Sequence, residues 1–132
     1  MNPLFLPQPA AASLLLRITL ASMWISHGLI LKYFTYGIQG LATWLAGQGL
    51  AAGLAVPLVL AETLGGLLIL FGIYGRWVSL ALLPILFGAL LIHAGNGWVF
   101  SNPNGGWEYP LLLAAVSLVH TLLGDGPLAL KR

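Results

Sequence analysis

The sequence predicts an all-α fold. It reads as an integral membrane four-helix bundle, one domain over residues 1–132, with a short interfacial helix between spans one and two. Three observations predict this. About 59% of the residues are hydrophobic and only 6% are charged. Four apolar stretches, at about 11–31, 54–73, 77–94 and 107–123, each approach the roughly 20 residues needed to cross a hydrocarbon core about 30 Å thick. Their faces lack the lysines and glutamates that a soluble bundle would turn to water.

The elements follow in order. Residues 1–9 contain three prolines and predict an irregular lead-in. No Lys or Arg precedes the first apolar run, and Arg17 interrupts it, so a cleavable signal peptide is not expected. The first span ends near Lys32. In the connector 33–53, Ile38, Leu41, Ala42, Leu45 and Ala46 recur at helical spacing. That pattern suits a short helix lying at the membrane surface or folding back over the bundle; a plain loop is the alternative. Pro57 falls in the first turn of span two, where its missing N–H is tolerated. Tyr74-Gly75-Arg76 is a tight turn, so spans two and three are expected to be antiparallel neighbours. Pro84 lies inside span three and is expected to kink it. Asn102-Pro103-Asn104-Gly105-Gly106 marks the turn before span four, and Gly124-Asp125-Gly126-Pro127 ends it.

Composition excludes several chemistries. The chain has no cysteine, which removes disulfide exchange, thiolate catalysis and iron–sulfur ligation. A net charge of +2 is too small for nucleic acid binding. Four spans leave no room for an extramembrane catalytic module. The basic residues serve as topology signals instead. An even number of spans puts both termini on one side, together with Arg76, Lys131 and Arg132, while the other side holds only Lys32. The positive-inside rule then predicts a multi-pass protein of the cell inner (plasma) membrane with both termini in the cytoplasm.

An ionisable group at membrane depth is costly and marks a candidate functional site. His27 and His93 fall near the outer ends of spans one and three, Glu62 roughly 12 Å into span two, and Glu108 at the start of span four. Each span thus supplies one titratable group to the outer half. Arg17 enters about 9 Å from the cytoplasmic side and is, with His27, the expected partner of Glu62. Gly65 and Gly66 share the Glu62 face and would admit a close helix. Each group also has a structural reading: a salt bridge to Arg17 for Glu62, a helix-start carboxylate for Glu108, snorkelling for Lys32, an interfacial position for His120. The tryptophans Trp24, Trp44, Trp77, Trp98 and Trp107 mostly suit interfacial belts. A His/Glu cluster could relay protons, hydrogen-bond the oxygens of a quinone-like ring, or, less readily, bind a metal. No His-x-x-x-His spacing supports a metal site, and none is assigned.

Arg17, His27-Gly28 with Lys32, Glu62-x-x-Gly65-Gly66, Gly75-Arg76, His93 and Gly105-Gly106-Trp107-Glu108-Tyr109-Pro110 together make the sequence resemble the DoxX family of small bacterial and archaeal membrane proteins. The resemblance implies a four-helix membrane bundle with a loose association with redox work. Some relatives are subunits of thiosulfate:quinone oxidoreductases, and others associate with membrane complexes handling oxidative stress. The expectation is therefore a membrane subunit of a redox system, quinone-linked if it is an oxidoreductase subunit. His27, Glu62, His93 and Glu108 would act as catalytic groups, and Arg17, Lys32, Gly65, Gly66 and Trp107 would border the cofactor. Quinone is the possible cofactor. Membrane lipid and a partner redox protein or a second copy are the expected partners. The alternative is a non-catalytic assembly subunit or small-molecule carrier whose buried charges are structural.

Overall fold

The computed structural model describes residues 8–132. Among them the chain is helical, with no strand beyond one isolated bridge, Ile73 to Lys131. Helix α1 spans Gln8–Ile25 and continues without a break as a π-helix, Ser26–Tyr36. The first helix was expected to end near Lys32; it runs four residues further and changes winding on the way. Its predicted irregular lead-in lies outside the described residues as far as residue 7. Gln8 and Pro9 already belong to α1, where a first-turn proline is tolerated.

Gly37 ends the π segment with φ +75°, a left-handed conformation glycine adopts freely, and the chain turns into α2, Gly37–Gly47. Leu41 and Leu45 of α2 are buried against Ala55 and Val59. The helical spacing of the connector is thus realised, and its apolar face folds back on the start of α3, Ala55–Phe71. Gly72, at φ +67°, caps α3, and α4 begins at Gly75 and runs to His93. The expected tight turn sits two residues earlier than the sequence suggested. Pro84 lies inside α4. Helix α5 spans Glu108–Leu123.

α1 packs on α3, α3 on α4, α4 on α5, and α5 back on α1, closing a ring. Leu20, Ala21, Trp24, Ile69, Leu82, Leu83, Leu86 and Ala114 form its core. Two glycines set the helix spacing as expected. A Cβ at Gly65 would meet the end of the Leu82 side chain, 2.8 Å from Cδ1, while one at Gly66 would lie 2.8 Å from Ile25 Cγ1 and 3.1 Å from the Ile25 backbone nitrogen, so a side chain at Gly66 would force α1 away from α3. Outside the ring, Leu15, Leu64, Leu91 and Leu122 stay exposed. Thr19, Ser22 and Ser26 donate their hydroxyls to carbonyls one turn back, so that outer face offers no free polar group.

Three helical runs are long and apolar enough to cross a membrane: Gln8–Gly47, Ala52–Phe71 and Gly75–Asn96. α5 is apolar but has 16 residues, about 24 Å, somewhat short of a full hydrocarbon core.

Candidate functional site

The end of the bundle away from the termini holds a cavity of about 1360 Å³ between α1, its π extension, α2, α3, α4 and α5. Its wall is mostly apolar, from residues such as Met23, Leu31, Leu58, Ile85 and Leu113, with a few polar groups: His27, Lys32, Glu62, His93, Asn96 and Tyr109.

Glu62 is buried, and its partner is neither Arg17 nor His27. Lys32 Nζ sits 2.7 Å from both Oε1 and Oε2. The snorkelling expected of Lys32 is likewise replaced by this pair. An ammonium has three N–H donors. Two are used by the carboxylate, and the third belongs to a side chain that borders the cavity and keeps 18% of its surface exposed. The pair thus presents a net-neutral donor rather than a bare charge.

His27 stacks on Tyr109, ring centroids 5.9 Å apart. His93 Nδ1 lies 3.4 Å from Asn96 Nδ2, which also donates to the Gly105 carbonyl at 2.9 Å. His27, His93 and Tyr109 border a second, smaller cavity of about 610 Å³ as well, and Glu108 lines that one rather than the first. The four expected catalytic residues therefore fall at one end, divided between two adjoining cavities that share both histidines. Trp24, assigned by sequence to an interfacial belt, is buried in the core beside the large cavity. Its indole N–H is buried without a hydrogen-bond partner among the described residues. Sequence reasoning missed it because an apolar run with one tryptophan does not say which way the indole turns. Among the described residues no three His, Asp or Glu side chains converge as metal ligands.

The other residues expected around a cofactor lie elsewhere. Gly65 and Gly66 face Leu82 and Ile25 as packing surfaces. Trp107 meets Trp98 edge to face, 4.5 Å between centroids, and lines neither cavity. Arg17 is buried at the opposite end and donates from Nη1 to the Asp125 carbonyl at 3.0 Å.

That opposite end carries a second polar constellation. His120, expected at the interface, is fully buried. Its Nε2 lies 2.8 Å from Asp125 Oδ1 and its Nδ1 2.6 Å from Ser79 Oγ. The carboxylate can only accept, so Nε2 donates to it, and in the neutral ring Nδ1 accepts from the serine hydroxyl. A hydrolytic triad places serine on Nε2 and the carboxylate on Nδ1. Here the order is reversed, Ser79 is wholly buried, and neither cavity reaches it. The group is a latch. Asp125 belongs to the segment after α5, and Gly75 leaves it room, since a Cβ there would lie 2.5 Å from Oδ1. Arg76 adds bonds from Nε to the Thr121 carbonyl and from Nη2 to that of Leu122, capping α5. Lys131 N–H donates to the Gly72 carbonyl and closes the tail over the α3–α4 turn.

An apolar helical bundle with a largely apolar cavity bearing a few polar groups at one end and a latched tail at the other defines a membrane protein. The chain belongs to the DoxX family: the family's model, described as DoxX, matches residues 12–95, which run from α1 through α4. Comparison with curated proteins and with solved structures returned no match.

Proposed function

We propose that the large cavity binds a lipophilic ring of the quinone type, and that the protein serves as the membrane subunit of a redox system. Such a ring needs an apolar slot and hydrogen-bond donors at its oxygens. The cavity combines both. Its wall is largely apolar, and its donors include the third N–H of Lys32, the imidazoles of His27 and His93 and the Tyr109 hydroxyl. The observation that carries the reading is the Lys32–Glu62 pair, a buried carboxylate neutralised by an ammonium that keeps one N–H to spare, set in a largely apolar cavity wall. A bound quinone supplies a reversible electron and proton couple. The chain's own residues orient the ring, exclude water through the apolar wall and hold protons at the His27 and His93 nitrogens. His27 and His93 also border the smaller cavity with Glu108, which gives those protons a neighbouring acceptor. Electrons come from a partner redox protein, because the chain has no thiol.

Orientation belongs to the same reading. Arg17, Arg76, Lys131 and Arg132 gather at the latched end and Lys32 stands at the other. By the positive-inside rule the latched end faces the cytoplasm of a plasma-membrane protein, and the cavity opens outward.

The test is titration of purified protein in detergent with a short-tailed quinone, read by tryptophan fluorescence. Saturable quenching is expected, weakened roughly tenfold in His27→Ala and in His93→Ala, the loss of about one hydrogen bond each. Equal, detergent-like partitioning in all three proteins would favour a non-catalytic assembly subunit or carrier instead.

A further inference from the structure

We propose that the π-helical winding of Ser26–Tyr36 is what brings Lys32 into the cavity, and that Gly28, where this segment seats on α3, is a positioning residue for the site.

In an α-helix of about 3.6 residues per turn, Lys32 would stand roughly 140° around the axis from His27, and Tyr36 roughly 180° from it. With i→i+5 hydrogen bonds the turn widens to a little over four residues, so Lys32 comes within about 50° of His27 and Tyr36 within about 20°. His27, Leu31, Lys32 and Tyr36 do share one face, and all four line the cavity. Phe34, which an α-helical winding would place beside His27, is instead turned outward and 70% exposed. The Thr35 hydroxyl follows the same pattern, donating to the carbonyl of Ile30, five residues back.

A widened helix needs a close seat to deliver a lysine to a buried carboxylate. Gly28 provides it. A Cβ there would lie 2.7 Å from Glu62 Cβ and 3.0 Å from the Thr63 backbone nitrogen. Neither atom is the far end of a flexible side chain, so any larger residue must lift the π segment off α3 at the very residue Lys32 binds. Long π-helical runs are rare, and their single-turn forms concentrate at functional sites. This one has an identifiable result: two cavity donors, His27 and Lys32, presented side by side. The proposal rests on the quinone reading only for what the cavity binds.

Two measurements made without ligand test it. The chain contains two lysines, and Lys131 at the opposite end serves as an internal standard. Labelling with an amine-reactive ester, quantified by peptide mass spectrometry, should show Lys32 reacting several-fold faster relative to Lys131 in Gly28→Ala than in the parent. Ile69→Ala, which opens the core away from the pair, should leave the ratio unchanged. The second measurement uses single cysteines in this cysteine-free chain, held in lipid nanodiscs and treated with a water-soluble maleimide. Leu31→Cys and Tyr36→Cys should react and Phe34→Cys should not. Reaction at Phe34→Cys in preference to Tyr36→Cys, or a Gly28→Ala ratio equal to the parent's, overturns the proposal. Should Gly28→Ala fail to fold, the cysteine series decides alone. Failure of quinone binding leaves both readouts intact, so the two readings are separable.

Discussion

Lys32 and Glu62 hold each other at 2.7 Å in a wall of hydrocarbon, and their value lies in being present together. Removing one partner of a buried pair strands the other, whereas replacing both with apolar residues is often neutral. Lys32 keeps some exposure and can retreat toward water, which moderates the loss. Glu62→Leu is therefore expected to lower stability by about 2–3 kcal/mol, and Glu62→Gln by less, because Gln still offers Lys32 an acceptor. Lys32→Met combined with Glu62→Leu should recover most of the loss. Thermal melting in detergent checks this, and simple addition of the two single effects would show that the side chains are not coupled. At the latched end, Asp125→Ala leaves the buried His120 N–H without its acceptor and should cost about 2 kcal/mol, while Ser79→Ala removes a donor to a ring nitrogen and should cost about 1 kcal/mol. The residues reveal where sequence reading stops. The depth of His27, Glu62 and His93 was readable from helical rise, and all three do line the same cavity. The partner of Glu62 was not, since pairing depends on azimuth, and the azimuth of Lys32 depends on a winding that no local signal announces. His120 was misplaced because its burial comes from the segment after α5 folding back, a long-range event.

The elements carry the site by how closely they approach. α3 is the central helix, and its glycines face different neighbours: Gly65 meets α4 and Gly66 meets α1. Gly66→Leu is expected to push Trp24 and Ile25 outward and cost on the order of 1–3 kcal/mol, with quinone binding weakened as the α1 wall of the cavity shifts. Melting and fluorescence titration of the same variant test both halves; unchanged affinity would mean that the α1 wall takes no part in binding. The glycines were legible as a contact face, but sequence assigned them to a cofactor where the structure uses them for helix packing. α2 was legible as a helix from its spacing, and its fold-back follows from the buried face of Leu41 and Leu45, which needs an apolar cover that Ala55 and Val59 supply. Helix ends shifted by a few residues wherever a turn glycine at positive φ, such as Gly37 or Gly72, set the boundary rather than hydropathy.

The whole molecule places its two polar constellations at opposite ends, a cavity at one and a latch at the other. The latch uses Arg17 and Arg76 as caps on carbonyls, so part of the basic charge at this end closes the bundle. The proposed orientation predicts that alkaline phosphatase fused at Arg132 is inactive and that the same reporter inserted between Asn102 and Asn104 is active; an active C-terminal fusion would invert the assignment. The helical bundle could be read from hydropathy because lipid-facing helices need an apolar surface all round. The cavity could not, since it arises from winding and packing at Gly28 and Gly37 that no one segment encodes. The most direct test of the account is photo-crosslinking with an azido-quinone in native-like membranes, with adducts mapped by mass spectrometry. Adducts are expected on Met23–Lys32 and on Leu58–Glu62, suppressed by excess unmodified quinone and much reduced when His27→Ala and His93→Ala together remove the imidazole donors. Adducts spread over lipid-facing residues such as Leu15, Leu91 and Leu122, with no competition by quinone, would contradict it.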